Sequence, residues 1–415
     1  MREDALELQA VIERSSRWLL AHQDAKTGGW SDLPGKPPST LNTAEVLLAL
    51  VDGGVSVVAV GAQPILRAVA FLLEHQVKEG VDQGAWTRTS GGVSTPDLIR
   101  TSFAVQALIR TGKGIDDPCI WNAVQWILDV GNPDHGWGPR RQSATSLMPT
   151  CFALLTLVET CRGGMESCRQ PIERGVELLV NTFQNPDGSF GAEDEVVAPH
   201  TIYGAMVLQE ARRQHLSRFP DRERDALDWL LANPDKAKRL VEEDVPIGEG
   251  AYGFLYMTDS LLLRVLASSL DKRHRASSLA EEALQSVKDK MQPDGGFFGY
   301  RTFSWSTAKV VSGLQAAHHQ YPRFPTRKPE YAGLRVGHFL LGFAILLGIG
   351  MVFLSARGQF GVLQTFFFTF VLLVLLVAYG KIGQETFKGL TERLLDKLSW
   401  GRSSDSGTRT DKEPQ

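Results

Sequence analysis

A segment that begins with threonine and continues with mostly apolar residues recurs six times, with copies roughly 50 residues apart. The six copies are TAEVLLAL from Thr43, TSFAVQAL from Thr101, TCFALLTL from Thr150, TIYGAMVL from Thr201, TDSLLLRVL from Thr258 and TAKVVSGL from Thr307. A second helix-like segment precedes each copy, for example WLLAHQ ending at Gln23 and FLLEHQ ending at Gln76. A unit of two helices cannot bury its apolar face alone, so the copies must pack against one another.

A turn made of glycine and an aromatic residue separates the two segments of a copy. The clear turns are Gly29-Trp30, Gly84-Ala85-Trp86, Gly136-Trp137, Gly188-Ser189-Phe190 and Gly295-Gly296-Phe297, whereas region 235–254 holds only the degenerate GEGAYGF. Six copies of helix, loop and helix predict an all-α fold of about twelve helices over residues 1–322. Because polar capping repeats are lacking, we expect a closed inner ring of helices within an outer ring, an α6/α6 toroid, rather than the alternative, an open solenoid.

Two stretches without Asp, Glu, Lys or Arg follow the repeats, at residues 336–356 and 358–380. Each has the roughly 20 residues needed to cross a bilayer, so they predict a transmembrane hairpin over 336–380. The alternative is an apolar helical hairpin buried in an oligomer. Lys and Arg concentrate before and after the pair, which predicts a multi-pass protein of the cell membrane with both termini in the cytoplasm.

The segments around this hairpin complete the predicted organisation. Residues 323–335 form a basic linker, 381–400 an amphipathic juxtamembrane helix, and 401–415 a disordered tail. The lipid bilayer is therefore an expected partner, and contacts between hairpins could join copies of the chain into a homo-oligomer.

Composition excludes two further classes of protein. Lys plus Arg number 44 against 47 Asp plus Glu, for a net charge of −3, so the chain lacks the basic excess of a nucleic-acid binder. The four cysteines form no C-x-x-C pair, which suits a reducing compartment rather than a disulfide framework.

Glutamine at a helix end, followed several residues later by glycine and an aromatic residue, resembles the QW-type repeat of the prenyltransferase and squalene–terpenoid cyclase superfamily. The resemblance covers about residues 8–320 in five clear copies and one weak copy. It implies an α/α toroid with a central apolar cavity, in which the glutamine and tryptophan tie helix ends to loops. It does not by itself imply a reaction.

The catalytic motifs of that superfamily are incomplete here. Class II cyclases use Asp-x-Asp-Asp-Thr at the start of an inner helix, and the nearest counterpart, DLIRT, offers only Asp97 and has Arg100 before the threonine. Prenyltransferases bind zinc through an Asp-x-Cys pair and a histidine. Cys151 and His200 are weak candidates for such ligands, but Pro149 stands where the aspartate should be. We therefore expect no metal, no cofactor and, on balance, no catalysis.

Four polar residues lie at the starts of predicted inner helices, where a toroid has its cavity mouth. Glu45, Arg100, His200 and Asp259 are therefore the candidate ligand-binding residues, with helix capping and local ion pairs as the alternative reading. The leading hypothesis is a membrane-tethered, non-catalytic toroid that binds an apolar or isoprenoid small molecule or a protein. The alternatives are a membrane effector of bacterial anti-phage defence and an isoprenoid- or lipid-processing enzyme that lacks the usual motifs.

Overall fold

The structure is a computed structural model that falls into two compact units, Met1–Thr326 and Arg327–Gln415. It describes part of the first unit, namely residues 2–31, 36–52, 63–87, 95–191, 197–237, 241–247, 250–275, 277–297 and 304–320. The predicted linker, transmembrane hairpin, juxtamembrane helix and tail all lie outside these ranges. Within them, no helix combines the length and apolar character that a membrane crossing requires.

Helices dominate the described residues. In chain order they are α1 (Arg2–Ala21), α2 (Thr40–Asp52), α3 (Gln63–Glu74), α4 (Leu98–Arg110), α5 (Pro118–Asp129), α6 (Leu147–Arg162), α7 (Arg169–Leu178), α8 (Ala198–Arg213), α9 (Pro220–Ala232), α10 (Pro234–Ala237), α11 (Thr258–Ser268), α12 (Lys272–Arg275), α13 (Ser278–Asp289) and α14 (Ser304–Gln320). A 3₁₀ turn, Glu166–Cys168, precedes α7, and a π-helical turn, Leu179–Phe183, extends it. Two strands, β1 (Val241–Ile247) and β2 (Gly250–Tyr256), lie between α10 and α11.

The inner helices form a closed ring. Helices α2, α4, α6, α8, α11 and α14 each pack against the next, and α14 packs back against α2. Each of the outer helices α1, α3, α5, α7, α9 and α13 packs on an inner neighbour. Nearly every residue of an inner helix such as α6 is buried, whereas α3 buries only one face, as expected for an inner and an outer layer. The α/α toroid predicted from the repeat is confirmed, and the open solenoid is excluded.

The repeated residues hold each loop between two helices. The backbone N–H of Trp86 donates to Thr101 Oγ1 (3.0 Å), and its indole Nε1 donates to the carbonyl of Leu72 (2.7 Å). Gln76 Nε2 donates to the carbonyls of Gly84 (3.0 Å) and Cys119 (2.8 Å), so it links its own loop to the next outer helix. The same contacts recur at Trp30 and Trp137, and all three tryptophans are buried, as the repeat predicts.

The loops require glycine for two reasons: the backbone has a positive φ, and there is no room for a side chain. Gly84 has a φ of +95°, in the left-handed region, and an added Cβ would lie 2.4 Å from the backbone carbonyl of Asn122 on α5. Gly188 in the next-but-one copy has a φ of +92° and would meet the backbone of Asp225 at 2.3 Å. The loop glycine therefore lets each turn sit directly on the following outer helix.

The fifth copy departs from the prediction of a purely helical domain. Where its glycine-aromatic turn has degenerated, β1 and β2 pair antiparallel, with Val241 opposite Tyr256 and Ile247 opposite Gly250. The sequence of the two strands is rich in β-branched and aromatic residues, a composition that favours strands over a helix. The hairpin replaces a loop and leaves α11 in the inner ring.

Candidate functional site

A central cavity lies among the inner helices. Its cavity volume is about 60 Å³, and part of the cavity is open to solvent. Five inner helices contribute to its wall. The lining residues are Glu45, Leu48, Asp52, Phe103, Gln106, Arg110, Tyr203, Ser260, Leu261, Arg264, Ala308, Lys309, Ser312 and Gly313.

One register position of the repeat supplies a layer of this wall. The residue two places after the repeat threonine is Glu45, Phe103, Phe152, Tyr203, Ser260 or Lys309 in the six copies. Phe152, which is not itself a lining residue, packs between Phe103 and Tyr203 in tilted and edge-to-face contacts, with ring centroids 5.4 and 5.1 Å apart. The layer therefore divides into an aromatic side on α4, α6 and α8 and a polar side on α11, α14 and α2.

A buried ion pair forms the polar side. Lys309 Nζ on α14 lies 3.4 Å from Glu45 Oε1 on α2, and both side chains are less than a tenth exposed. Burial lowers the pKa of the Lys309 ammonium below its usual value, and the adjacent Glu45 carboxylate only partly offsets this effect. The pair joins the last inner helix to the first, where the ring closes.

A second charged layer lies two turns further along the inner helices. Arg110 contacts Asp52 Oδ1 at 3.2 Å and Glu159 Oε1 at 2.6 Å. Burial alone would lower the pKa of the Arg110 guanidinium, but the neighbouring carboxylates outweigh burial and raise it. Arg110 therefore stays charged and is held by α2 and α6 together.

Arg264 differs from the other cations of the cavity. It lies on α11, one turn after Ser260, is half-buried, and makes no hydrogen bond or ion pair with another residue in the described ranges. Among the described residues, the cavity wall thus holds three cationic side chains and two carboxylates, and Arg264 is the cation with no carboxylate partner there. Tyr203 faces the same space, and burial raises the pKa of its phenol.

The candidate residues from the sequence fall in different places. Glu45 lines the cavity, whereas Arg100, His200 and Asp259 are not among its lining residues. Arg100 is buried in an ion pair with Asp97, which caps α4 by accepting from the Arg100 backbone N–H at 2.9 Å. Asp259 accepts from Ser286 Oγ at 2.5 Å and from Lys290, so its carboxylate is bound at the outer helix α13. His200 is half-buried in the first turn of α8. Ligand binding by these four residues stays a prediction.

The weak zinc candidates do not assemble into a ligand set in the described part of the chain. Cys151 is fully buried on α6, and burial strongly raises the pKa of its thiol. Nowhere in the described ranges do three or more His, Cys, Asp or Glu side chains come together as metal ligands would.

Sequence reasoning missed the cations that distinguish this cavity. Lys309 stands at the same register position as Glu45, and Arg110 at the same position as Asp52 and Glu159. Comparison of the six copies position by position would have found both layers, since i, i+3 and i+7 residues share one helix face. At the start of α4, where the sequence directs attention to Arg100, Asp97 caps the helix instead.

Two family descriptions match the toroid sequence. "Squalene-hopene cyclase C-terminal domain" matches residues 36–199, and "Prenyltransferase alpha-alpha toroid domain" matches residues 7–59. The squalene–hopene cyclase of Bradyrhizobium diazoefficiens is 26% identical over 209 residues, which are 43% of this chain and 29% of that protein. Drimenyl diphosphate synthase of Streptantibioticus cattleyicolor is 23% identical over 201 residues, 47% of this chain and 34% of that protein. This chain thus spans about a third or less of the curated relatives it matches.

Solved structures show the same fold at low sequence identity. The type II terpene cyclase MstE from Scytonema superposes with a TM-score of 0.55 at 16% identity, covering 76% of this chain and 99% of that one. Cellobiose 2-epimerase from Bacillus thermoamylovorans gives a TM-score of 0.58 at 14% identity, with 76% and 99% coverage. The chain therefore has a terpene cyclase-like toroid, and the matches support the prenyltransferase and squalene–terpenoid cyclase superfamily.

Proposed function

We propose that the toroid binds a small, partly apolar anion in its central cavity and does not perform acid-initiated cyclisation. The observation that carries the proposal is Arg264, a half-buried cation in the cavity with no carboxylate partner in the described residues. A guanidinium in such a place favours a carboxylate or phosphate group, which it can bind through two parallel hydrogen bonds. The aromatic wall of Phe103 and Tyr203 offers contact for the apolar part of the same molecule.

The chemical class follows from these two contacts together. An isoprenoid or lipid fragment that ends in phosphate, diphosphate or carboxylate has both an apolar body and an anionic head. The name of drimenyl diphosphate synthase, one of the relatives matched above, includes a diphosphate compound. That relationship supports a diphosphate as the first probe for this cavity.

A class II cyclase would need a carboxyl group directly before a repeat threonine, and this chain has other residue types there. In none of the six copies is either of the two residues before the repeat threonine a carboxylate. The two carboxylates in the cavity wall, Glu45 and Asp52, pair with Lys309 and Arg110. Each of these two carboxylates already binds a cation of the wall, so neither is set aside in the cavity to act on an alkene. These contacts favour a binding role over protonation of an alkene.

Attachment to a membrane is part of the proposal and rests on the sequence. The uncharged stretches 336–356 and 358–380 and the Lys and Arg residues that flank them support a hairpin with both ends in the cytoplasm. A toroid held at that face would meet amphiphiles as they leave the bilayer.

The test is a calorimetric titration of the full chain in detergent with farnesyl diphosphate and, separately, farnesol. We expect the diphosphate to bind and Arg264→Gln to weaken it at least tenfold, the loss typical of a charge-assisted hydrogen bond. The matched control is Arg224→Gln, since Arg224 is exposed on α9 and its ion pair within the described residues is with Asp221. Equal affinity in the wild type and Arg264→Gln would overturn the anion proposal.

The second candidate, an isoprenoid cyclase, is favoured by the cyclases among the matched relatives. The same samples therefore need analysis for products by gas chromatography after phosphatase treatment. A cyclised product made by the wild type and lost in Glu45→Gln would establish this candidate and contradict the binding proposal.

A further inference from the structure

Lys309 is a buried amine in the cavity whose place is not explained by stability. Its side chain is 8% exposed and faces Glu45 across 3.4 Å, at the seam where α14 meets α2. Replacing a buried ion pair by apolar residues of similar size is often neutral or stabilising, because removing two charges from water is costly. Four of the six copies carry an uncharged residue at this register position, so the ring layer does not require charge.

The surroundings of Lys309 supply what an amine nucleophile needs. Lys309 itself lines the cavity, and the aromatic residues Phe103 and Tyr203 line the same cavity. Glu45 is close enough to take a proton from the ammonium and return it. Burial also lowers the pKa of Lys309, which increases the fraction of neutral amine.

We propose that Lys309 forms a reversible imine with an aldehyde or ketone bound in the central cavity. The amine nitrogen attacks the carbonyl carbon, a C–N bond forms, and the carbonyl π electrons move to oxygen, which takes a proton from the nitrogen. The resulting carbinolamine loses its hydroxyl as water, with the proton that Glu45 received from the ammonium, and a protonated C=N bond remains beside the Glu45 carboxylate. No oxidant or reductant is consumed. This inference uses the cavity of the proposed function but does not depend on its anion or on Arg264.

Lys113 provides an internal comparison on the same chain. Its ammonium donates to Asp117 Oδ2 at 2.9 Å, and this hydrogen bond raises its pKa. It is about a third exposed, so a reagent reaches it readily. If exposure alone decided the rate, Lys113 would react with an aldehyde faster than Lys309. If the cavity makes the amine of Lys309 more nucleophilic, Lys309 would react faster.

The test uses the full chain with farnesal, an isoprenoid aldehyde, and sodium cyanoborohydride at neutral pH. The reductant delivers hydride to the imine carbon and fixes the adduct as a secondary amine. Intact mass spectrometry should show one adduct per chain, and peptide mapping should place it on Lys309 at least tenfold faster than on Lys113. Predominant labelling of Lys113 or other exposed lysines would overturn the proposal without any variant being needed.

Three variants test the site itself. Lys309→Arg keeps the charge but removes the nucleophile, so this variant should form no adduct. Lys113→Arg should still form the adduct. Glu45→Gln removes the acid that protonates the departing hydroxyl, and labelling of Lys309 should slow at least tenfold. A folded Lys309→Arg protein with unchanged adduct yield would contradict the proposal. The two proposals can fail separately. If Lys309 is labelled but Arg264→Gln binds farnesyl diphosphate as tightly as the wild type, this inference is retained and the proposed function is refuted.

Discussion

Trp137 in the third loop offers the most quantitative test of the packing. Its side chain is 3% exposed, and its indole Nε1 donates to the carbonyl of Ile127 at 2.8 Å. Replacing a buried tryptophan with alanine costs about 3–5 kcal/mol through lost transfer energy and the remaining cavity. Leaving the Ile127 carbonyl without its donor adds about 1 kcal/mol. We therefore expect Trp137→Ala to lower the free energy of unfolding by about 4–6 kcal/mol.

A nearby tryptophan supplies the control. Trp121 on α5 is 47% exposed, so Trp121→Ala should cost about 1 kcal/mol or less. Trp137→Phe keeps most of the packing and loses the indole donor, so it should fall between the two, at about 1–2 kcal/mol.

The assay is urea unfolding of the full chain in detergent, followed by the helical signal in circular dichroism. A loss of 4–6 kcal/mol is a large share of the roughly 5–15 kcal/mol that stabilises a typical domain. Trp137→Ala should therefore unfold at a much lower urea concentration than Trp121→Ala. A difference below about 0.5 kcal/mol between Trp137→Ala and the wild type would show that the repeat tryptophan does not hold the toroid together.

Three further predictions concern the loops, the cavity and the membrane hairpin. Gly84→Ala should cost at least about 2 kcal/mol, because its Cβ would meet the Asn122 carbonyl, whereas Gly80→Ala has open space and should cost only about 1 kcal/mol of backbone strain. Because burial lowers the folded-state pKa of Lys309 below 10.5, the unfolded chain binds more protons than the folded chain between the two values. The free energy of unfolding of the wild type should therefore rise with pH in that window relative to that of Lys309→Met. Identical pH profiles of the two proteins in urea unfolding would contradict the lowered pKa of Lys309. A reporter that fluoresces only in the cytoplasm should be bright when fused after Gln415 and dark when inserted at residues 357–359, and two bright fusions would refute the hairpin.

The sequence predicts the toroid because its signals are local and repeated. The repeat threonine, the loop glycine and the tryptophan make the same hydrogen bonds in successive copies, so one copy explains the others. The β-hairpin after α10 could not be read from the repeat, since there the copy itself has decayed.

The cavity was harder to predict because its character depends on which residues meet across the ring. Glu45 and Lys309 lie at opposite ends of the described chain and pair only because the last inner helix closes on the first. Asp259 shows the reverse case, since its position at a helix start suggests the cavity whereas its carboxylate contacts Ser286 and Lys290 at α13. Helix starts are visible in a sequence, whereas the direction of each side chain around the ring requires the register of every helix.

Native mass spectrometry of the full chain purified from its host tests the central claim most directly. We expect one acidic, partly apolar compound per toroid, released on denaturation and detected in negative-ion mode, and we expect it to be lost from Arg264→Gln but retained in Arg224→Gln. A chain that carries only neutral lipid, or an acidic compound retained equally in Arg264→Gln, would contradict the binding of an anion at Arg264.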